Sequence, residues 1–241
     1  QKLMVSYVTS GVASNSLIYG ATLDFEPLYT TDGIYWIDIV YFKGHYFASL
    51  TYSIYYSRTG DLGTWQQAWT TVGTPYYLSV FYVRQLFVYK DHLYAIVCRT
   101  STSTPYEAFL FRSSDGFTWA PVLQLSYGRI YGVPHKDKLY LFCVYKRPAP
   151  YTDYYVTDYW VSTDGLAFSR LYREEDWRGI WPVIYNDHLY MVGHGYIRGD
   201  GAMPTTPAID WVRNKVVFLK AVRIDYATDA ISDAARHRFL R

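Results

Sequence analysis

The sequence predicts an all-β fold assembled from about five repeated four-stranded units. Three observations carry this reading. A hairpin segment recurs four times, a second turn recurs three times at a fixed place after it, and 20% of the residues are aromatic, with 28 Tyr, 12 Phe and 8 Trp. Aromatic side chains fit the pleated, half-buried surface of a sheet.

The hairpins read VYFKGHYFAS, FVYKDHLYAIV, VPHKDKLYLF and VIYNDHLYMV. Each is an apolar run, a two-residue turn and a second strand that opens on an aromatic or on Leu-Tyr. The turns Lys43-Gly44, Lys90-Asp91, Lys136-Asp137 and Asn186-Asp187 carry the Asn, Asp or Gly that tight hairpins demand. The residues that follow them, His45, His92, Lys138 and His188, are spaced by 47, 46 and 50 residues, the length of one propeller blade.

The second turn reads TGDLGTW over Thr59–Trp65, SSDGFTW over Ser113–Trp119 and STDGLAF over Ser162–Phe168. Thr22-Leu23-Asp24-Phe25 is a fainter copy. The shared pattern is Ser/Thr-x-Asp, a Gly and an aromatic. An Asp accepts backbone N–H groups two residues on, Gly takes positive φ, and the aromatic anchors the turn. These turns resemble the Asp boxes of sialidase-like propellers, which join the third and fourth strands of a blade. The resemblance runs from about residue 20 to about residue 195. It implies a single β-propeller of about five four-stranded blades, and says more about architecture than about activity.

Complete units run over about 34–70, 77–125 and 127–173. A fourth begins with Gly179–Tyr185 and His188–Tyr196. Its outer strands are expected in Ala208–Arg213 and Lys215–Val222, beyond the Gly- and Pro-rich stretch Arg198–Pro207. At the N-terminus, Leu3–Thr9 and Leu17–Thr22 read as second and third strands of a unit that lacks an innermost strand. Val222–Ala227, VRIDYA, resembles the YWIDIV that opens the second unit and is expected to supply it, closing the ring. An open blade would leave an unpaired strand edge. The propeller then takes residues 1–228 and leaves 229–241 as a C-terminal tail. There Ser232 fits the cap of a short helix carrying Ala234, Ala235, Phe239 and Leu240, and a loose tail fits the same residues equally.

Innermost strands line the channel of a propeller. Counting back seven residues from each hairpin marker gives Asp38, Gln85, Tyr131 and Trp181 as a ligand-binding face. The strand period of two adds Trp36, Val83, Arg129 and Gly179, and Arg84 and Arg178 adjoin them. One carboxylate, one amide, aromatic planes and arginines suit a sugar, while inter-blade packing is the competing use of these positions. A glycosidase needs two carboxylates at a set separation. Asp38 is the base candidate, and Glu174 and Glu175, expected in a loop before a blade, are the pair able to reach the channel mouth. The sialidase-like resemblance implies an arginine clamp, for which Arg84, Arg129 and Arg178 are the candidates. They stand eight, nine and ten residues before their markers, a scatter that counts against convergence.

His45, His92 and His188 mark a repeat position at the blade end, so neither a metal site nor a cofactor is implied. Cys98 and Cys143 lie six and five residues after their markers, which points them to opposite faces as free, buried thiols. A net charge of +2, with 23 basic and 21 acidic residues and no basic block, gives no footprint for nucleic acid. No apolar run approaches the ~18–20 residues of a membrane span. The expected function is a non-catalytic binding or assembly module, extracellular or surface-associated, that recognises a glycan or a protein through channel-mouth loops and exposed tyrosines. A homo-oligomer, a virion subunit or a surface-filament subunit are variants of it. The alternative is a glycoside hydrolase of sialidase-like or furanosidase-like type.

Overall fold

A computed structural model describes residues 4–8, 15–20, 27–32, 36–50, 52–60, 63–72, 81–99, 107–125, 129–146, 155–175, 177–197 and 216–239. These hold 19 strands and no helix. The first sheet contains β1 (Met4–Val8), β2 (Asn15–Gly20) and β3 (Pro27–Asp32). The second contains β4 (Trp36–Phe42), β5 (His45–Leu50), β6 (Ser53–Ser57) and β7 (Gln66–Thr70). The third contains β8 (Phe81–Tyr89), β9 (His92–Arg99), β10 (Ala108–Ser113) and β11 (Ala120–Leu125). The fourth contains β12 (Arg129–His135), β13 (Lys138–Lys146), β14 (Tyr155–Ser162) and β15 (Ser169–Glu175). The fifth contains β16 (Trp177–Tyr185), β17 (His188–Ile197), β18 (Val216–Ile224) and β19 (Ile231–Phe239). Within every sheet the strands neighbour one another in chain order and pair antiparallel. The chain divides into two compact units, Gln1–Gly128 and Arg129–Arg241.

Each unit has a core between consecutive four-stranded sheets. In the first, Phe42, Phe47 and Ile54 from the second sheet meet Val83, Leu86, Leu93, Phe109 and Phe111 from the third. In the second, Tyr140, Phe142 and Tyr159 meet Leu189, Met191 and Ile224. Burying an aliphatic or aromatic side chain of this size contributes about 1.5–3 kcal/mol.

The expected hairpin turns are present. Lys90 and Asp91 have φ of 42° and 53°, Asn186 and Asp187 have 45° and 61°, and Lys43 and Gly44 have 45° and 83°. Positive φ at both central residues gives the backbone twist that matches flanking strands. His45 and His92 close their turns in the same way, with Nδ1 against the carbonyl of Lys43 at 3.1 Å and of Lys90 at 2.7 Å. Arg112 then donates to His92 Nε2 at 2.7 Å. These histidines are turn braces.

The second set of turns joins third to fourth strands. In the third sheet Asp115 Oδ1 accepts the N–H groups of Phe117 and Thr118, both at 2.8 Å, and Ser113 Oγ accepts that of Gly116 at 2.7 Å. In the fourth sheet Asp164 accepts from Leu166 at 2.8 Å and Ala167 at 2.9 Å, and Ser162 accepts from Gly165 at 2.8 Å. The corresponding bond in the second sheet runs from Gly60 N–H to Ser57 Oγ at 2.9 Å. The equivalent serine is therefore Ser57, two residues before the expected Thr59. Thr59 takes the place of the aspartate, and its hydroxyl meets that of Thr64 at 3.3 Å. Two extra residues before Trp65 hide this register in the sequence.

Outer strands share a bulge in all five sheets. Leu28, Ala68, Val122, Leu171 and Ala234 are the extra residues on β3, β7, β11, β15 and β19. The bulge identifies β2–β3 as a third and fourth strand, so the first sheet has the expected second-to-fourth strands. Its expected donor is placed elsewhere. Val222, Arg223 and Ile224 belong to β18, paired with Met191, Tyr190 and Leu189. The C-terminal tail is neither helix nor loose end, because Ile231–Phe239 is the fourth strand of the fifth sheet. A helix there loses to sheet pairing, since β19 satisfies an edge that β18 would otherwise expose. The segment between them forms a third–fourth strand turn of its own, in which Asp225 accepts from Ala227 and Thr228 at 3.1 and 2.9 Å. Ala208–Arg213, Arg198–Pro207 and Thr22–Phe25 lie outside the described residues.

Hairpins of one sheet also hold the third–fourth strand turn of the next. Lys43 Nζ donates to Ser114 O at 2.8 Å, and Phe117 sets its ring edge-on to Phe47 and His45. In the second unit Lys138 donates to Tyr226 O and to both oxygens of Asp229, each at 2.9 Å.

Candidate functional site

The four inner strands place Asp38, Gln85, Tyr131 and Trp181 in one register position, opposite Ser49, Ile96, Phe142 and Val192. The register agrees with the sequence, and the direction of the side chains decides their use. Asp38 points at the next sheet. Its Oδ2 accepts the N–H of Leu86 on β8 at 3.1 Å, and its Oδ1 accepts that of Ile39 at 2.9 Å. Burial pushes the Asp38 carboxyl up to about 6, against the lowering effect of those two N–H groups. Tyr131 packs on the core of the second unit. Asp38 and Gln85 thus stand on strands that Asp38 itself ties together, in the first unit. Tyr131 and Trp181 hold the equivalent positions in the second. The side chains of Trp181 and Arg178 lie outside the described residues.

Ile37, Arg84 and Ile180 are extra residues on β4, β8 and β16, each eight before its marker, and β12 pairs without one. This corrects the alignment by counting. Ile130, opposite Cys143, is the equivalent of Trp36, Val83 and Gly179, and Arg129 is not. Arg129, opposite Val144, instead shares a position with Arg178, opposite His194. Their apparent one-residue offset is the bulge. Arg84 is itself the bulged residue, so it does not share their position.

Glu174 and Glu175 do not sit in a loop. They pair with Thr157 and Val156 as the end of β15, the outermost strand of its sheet. Three strand spacings separate that strand from β12, about 14 Å. Sequence reasoning missed Asp158, a fully buried carboxylate on β14 that takes a two-pronged contact from Arg173 at 2.7 and 2.9 Å. Its neighbour in the pairing is Cys143. That geometry is an ion pair within the sheet, and the signal for it was an Asp among the valines and aromatics of its strand. Cys98 and Cys143 are both buried, and neither is in a disulfide. Among the described residues, no three His, Cys, Asp or Glu side chains group as a metal site.

No protein-family model matches the chain, and no curated protein matches it. Solved structures do. A thermostable family-43 glycoside hydrolase has 13% identity and a TM-score of 0.51 over 97% of this chain and 89% of that one. The sucrose-6-phosphate hydrolase of Lactobacillus gasseri has 14% and 0.50, over 96% and 57%. A Bombyx mori GH32 beta-fructofuranosidase has 12% and 0.49, over 96% and 59%. The chain spans under two thirds of the length of the last two. At these identities the likeness concerns the fold: the chain has an all-β fold of antiparallel four-stranded sheets, like that of propeller glycoside hydrolases.

Proposed function

We propose that the chain is a glycoside hydrolase of the five-bladed propeller kind, acting on a glycan outside the cell or at its surface, with Asp38 as one of its two working carboxyls. The observation that carries this is Asp38 itself: an inner-strand carboxyl, partly buried, with its pKa pushed up to about 6. Such a group holds its proton in mild acid and gives it up near neutrality, which suits proton transfer to or from a glycosidic bond. Likeness of fold to glycoside hydrolases supports the same reading.

The non-catalytic binding module is the second reading, and one observation favours it. Both Asp38 oxygens already accept a backbone N–H. A screen with aryl glycosides, run on the wild type and on Asp38→Asn, separates the two. Turnover of a glycoside that Asp38→Asn lowers by about 100-fold or more, with the fold intact by circular dichroism, is the expected result for general acid or base catalysis. Binding without turnover would return the chain to the binding-module reading.

A further inference from the structure

Tyr52 and Tyr82 stand where β4 and β8 begin. Tyr52 lies just beyond Leu50, which pairs with Trp36 at the start of β4, and Tyr82 is the second residue of β8. Their ring centroids are 5.0 Å apart, the planes are tilted by 35°, and both residues are partly exposed. The Tyr52 backbone is pinned: its carbonyl accepts Thr71 N–H at 2.9 Å and the hydroxyls of Thr70 and Thr71 at 3.3 Å. Arg84, exposed on its bulge, holds its guanidinium 5.7 Å from the Tyr82 ring centre. A bulge is a device for re-aiming a side chain.

Two rings fixed at a tilt, with the Arg84 guanidinium over one of them, offer apolar ring surface and planar donors to the C–H groups and hydroxyls of a sugar ring. Because Arg84 is an extra residue, Tyr82 and Leu86 pair with Cys98 and Ala95, three residues apart, so Tyr82 stands roughly 10 Å along the strand from the Leu86 N–H that holds Asp38. A ligand that touches both Asp38 and the tyrosines is longer than one sugar ring. We propose that Tyr52, Tyr82 and Arg84 form an oligosaccharide subsite, which receives a sugar unit beyond the one beside Asp38. The assignment rests on Asp38 marking the site where the glycan is held.

Titration calorimetry on the whole chain tests it, with fructo-, arabino- and xylo-oligosaccharides of one to five units as probes. Affinity is expected to rise with chain length beyond one unit for at least one series. Tyr82→Ala and Tyr52→Ala should remove that gain by ~10-fold or more, while Tyr82→Phe keeps most of it. Arg84→Gln, at an exposed position, is the second variant should Tyr82→Ala disturb the fold, and a severalfold loss is expected. Binding that ignores chain length, no binding by any series, or unchanged affinity in folded Tyr82→Ala and Arg84→Gln overturns the subsite. Turnover is not read in this experiment. A length-dependent gain lost in Tyr82→Ala therefore upholds the subsite even if no glycoside is hydrolysed, and hydrolysis without the gain sinks the subsite alone.

Discussion

The carboxylate of Asp38 on β4 accepts the backbone N–H of Leu86 on β8 at 3.1 Å, so one side chain spans two sheets of the first unit. Its raised pKa makes the junction sensitive to pH. Folding lifts the carboxyl from 3.8 to about 6, so between those values the folded chain binds more protons than the unfolded one. Stability should fall as pH rises from about 4 to about 6, then level off, by on the order of 2–3 kcal/mol. Asp38→Asn carries no titration and should lose this slope, whatever constant offset the new amide adds. Urea melts at four pH values across that window check it. An equal slope in both proteins would refute the assignment to Asp38.

Asp115 and Asp164 behave in the opposite sense. The N–H groups of Thr118 and Phe117 hold Asp115 down to about 2, and those of Leu166 and Ala167 hold Asp164 down to about 2. Their contribution is present above about pH 4 and fades as pH falls through about 2. Asp115→Ala should cost about 1 kcal/mol at pH 7, the loss of exposed turn bonds, and should leave any glycan affinity unchanged. Thermal melts at pH 7 and pH 2 should converge for wild type and variant at the acid end.

Gly116 and Gly44 share positive φ, 87° and 83°, but not surroundings. A Cβ on Gly116 would overlap the Phe47 ring, while one on Gly44 would meet nothing. Gly44→Ala should cost about 1 kcal/mol of backbone strain, and Gly116→Ala about 3 kcal/mol or more, because the ring must also move. Denaturant midpoints of the two variants measured side by side decide the matter. Similar losses would mean that the Phe47 contact carries no weight.

Lys138 and Asp229 are 15% and 25% exposed in their side chains, and Tyr140 donates to the same carboxylate at 3.0 Å. Burial first, then the Asp229 charge, raises the Tyr140 phenol above its ordinary value. A double-mutant cycle with Lys138→Met and Asp229→Asn should show coupling of about 1–2 kcal/mol. Additive losses would show that the two residues act separately.

The repeat, its hairpin turns and the strands of the three complete units were legible because they rest on local chemistry: a two-residue turn between apolar runs, a serine and an aspartate before a glycine. What escaped is what pairing decides. VRIDYA has the composition of an inner strand, and only the demand of β17 for a partner places it third. Ser232–Arg241 has alanines that suit a helix, and an open β18 edge outweighs them. The position of Asp38 was readable from its interval to His45, whereas its use was not. Whether an inward carboxyl meets solvent or the N–H of Leu86 depends on a strand 48 residues away.

The inner-strand bulge has a consequence for anyone who recombines these repeats. β4, β8 and β16 each spend one residue, Ile37, Arg84 or Ile180, that β12 does without. Transplanting the β12 segment into another sheet like for like would leave the hairpin end in phase and throw everything upstream out of step by one, turning apolar side chains outward. A chimera must therefore delete or insert at that single site, and cassette boundaries chosen from the hairpins alone would cut in the wrong frame.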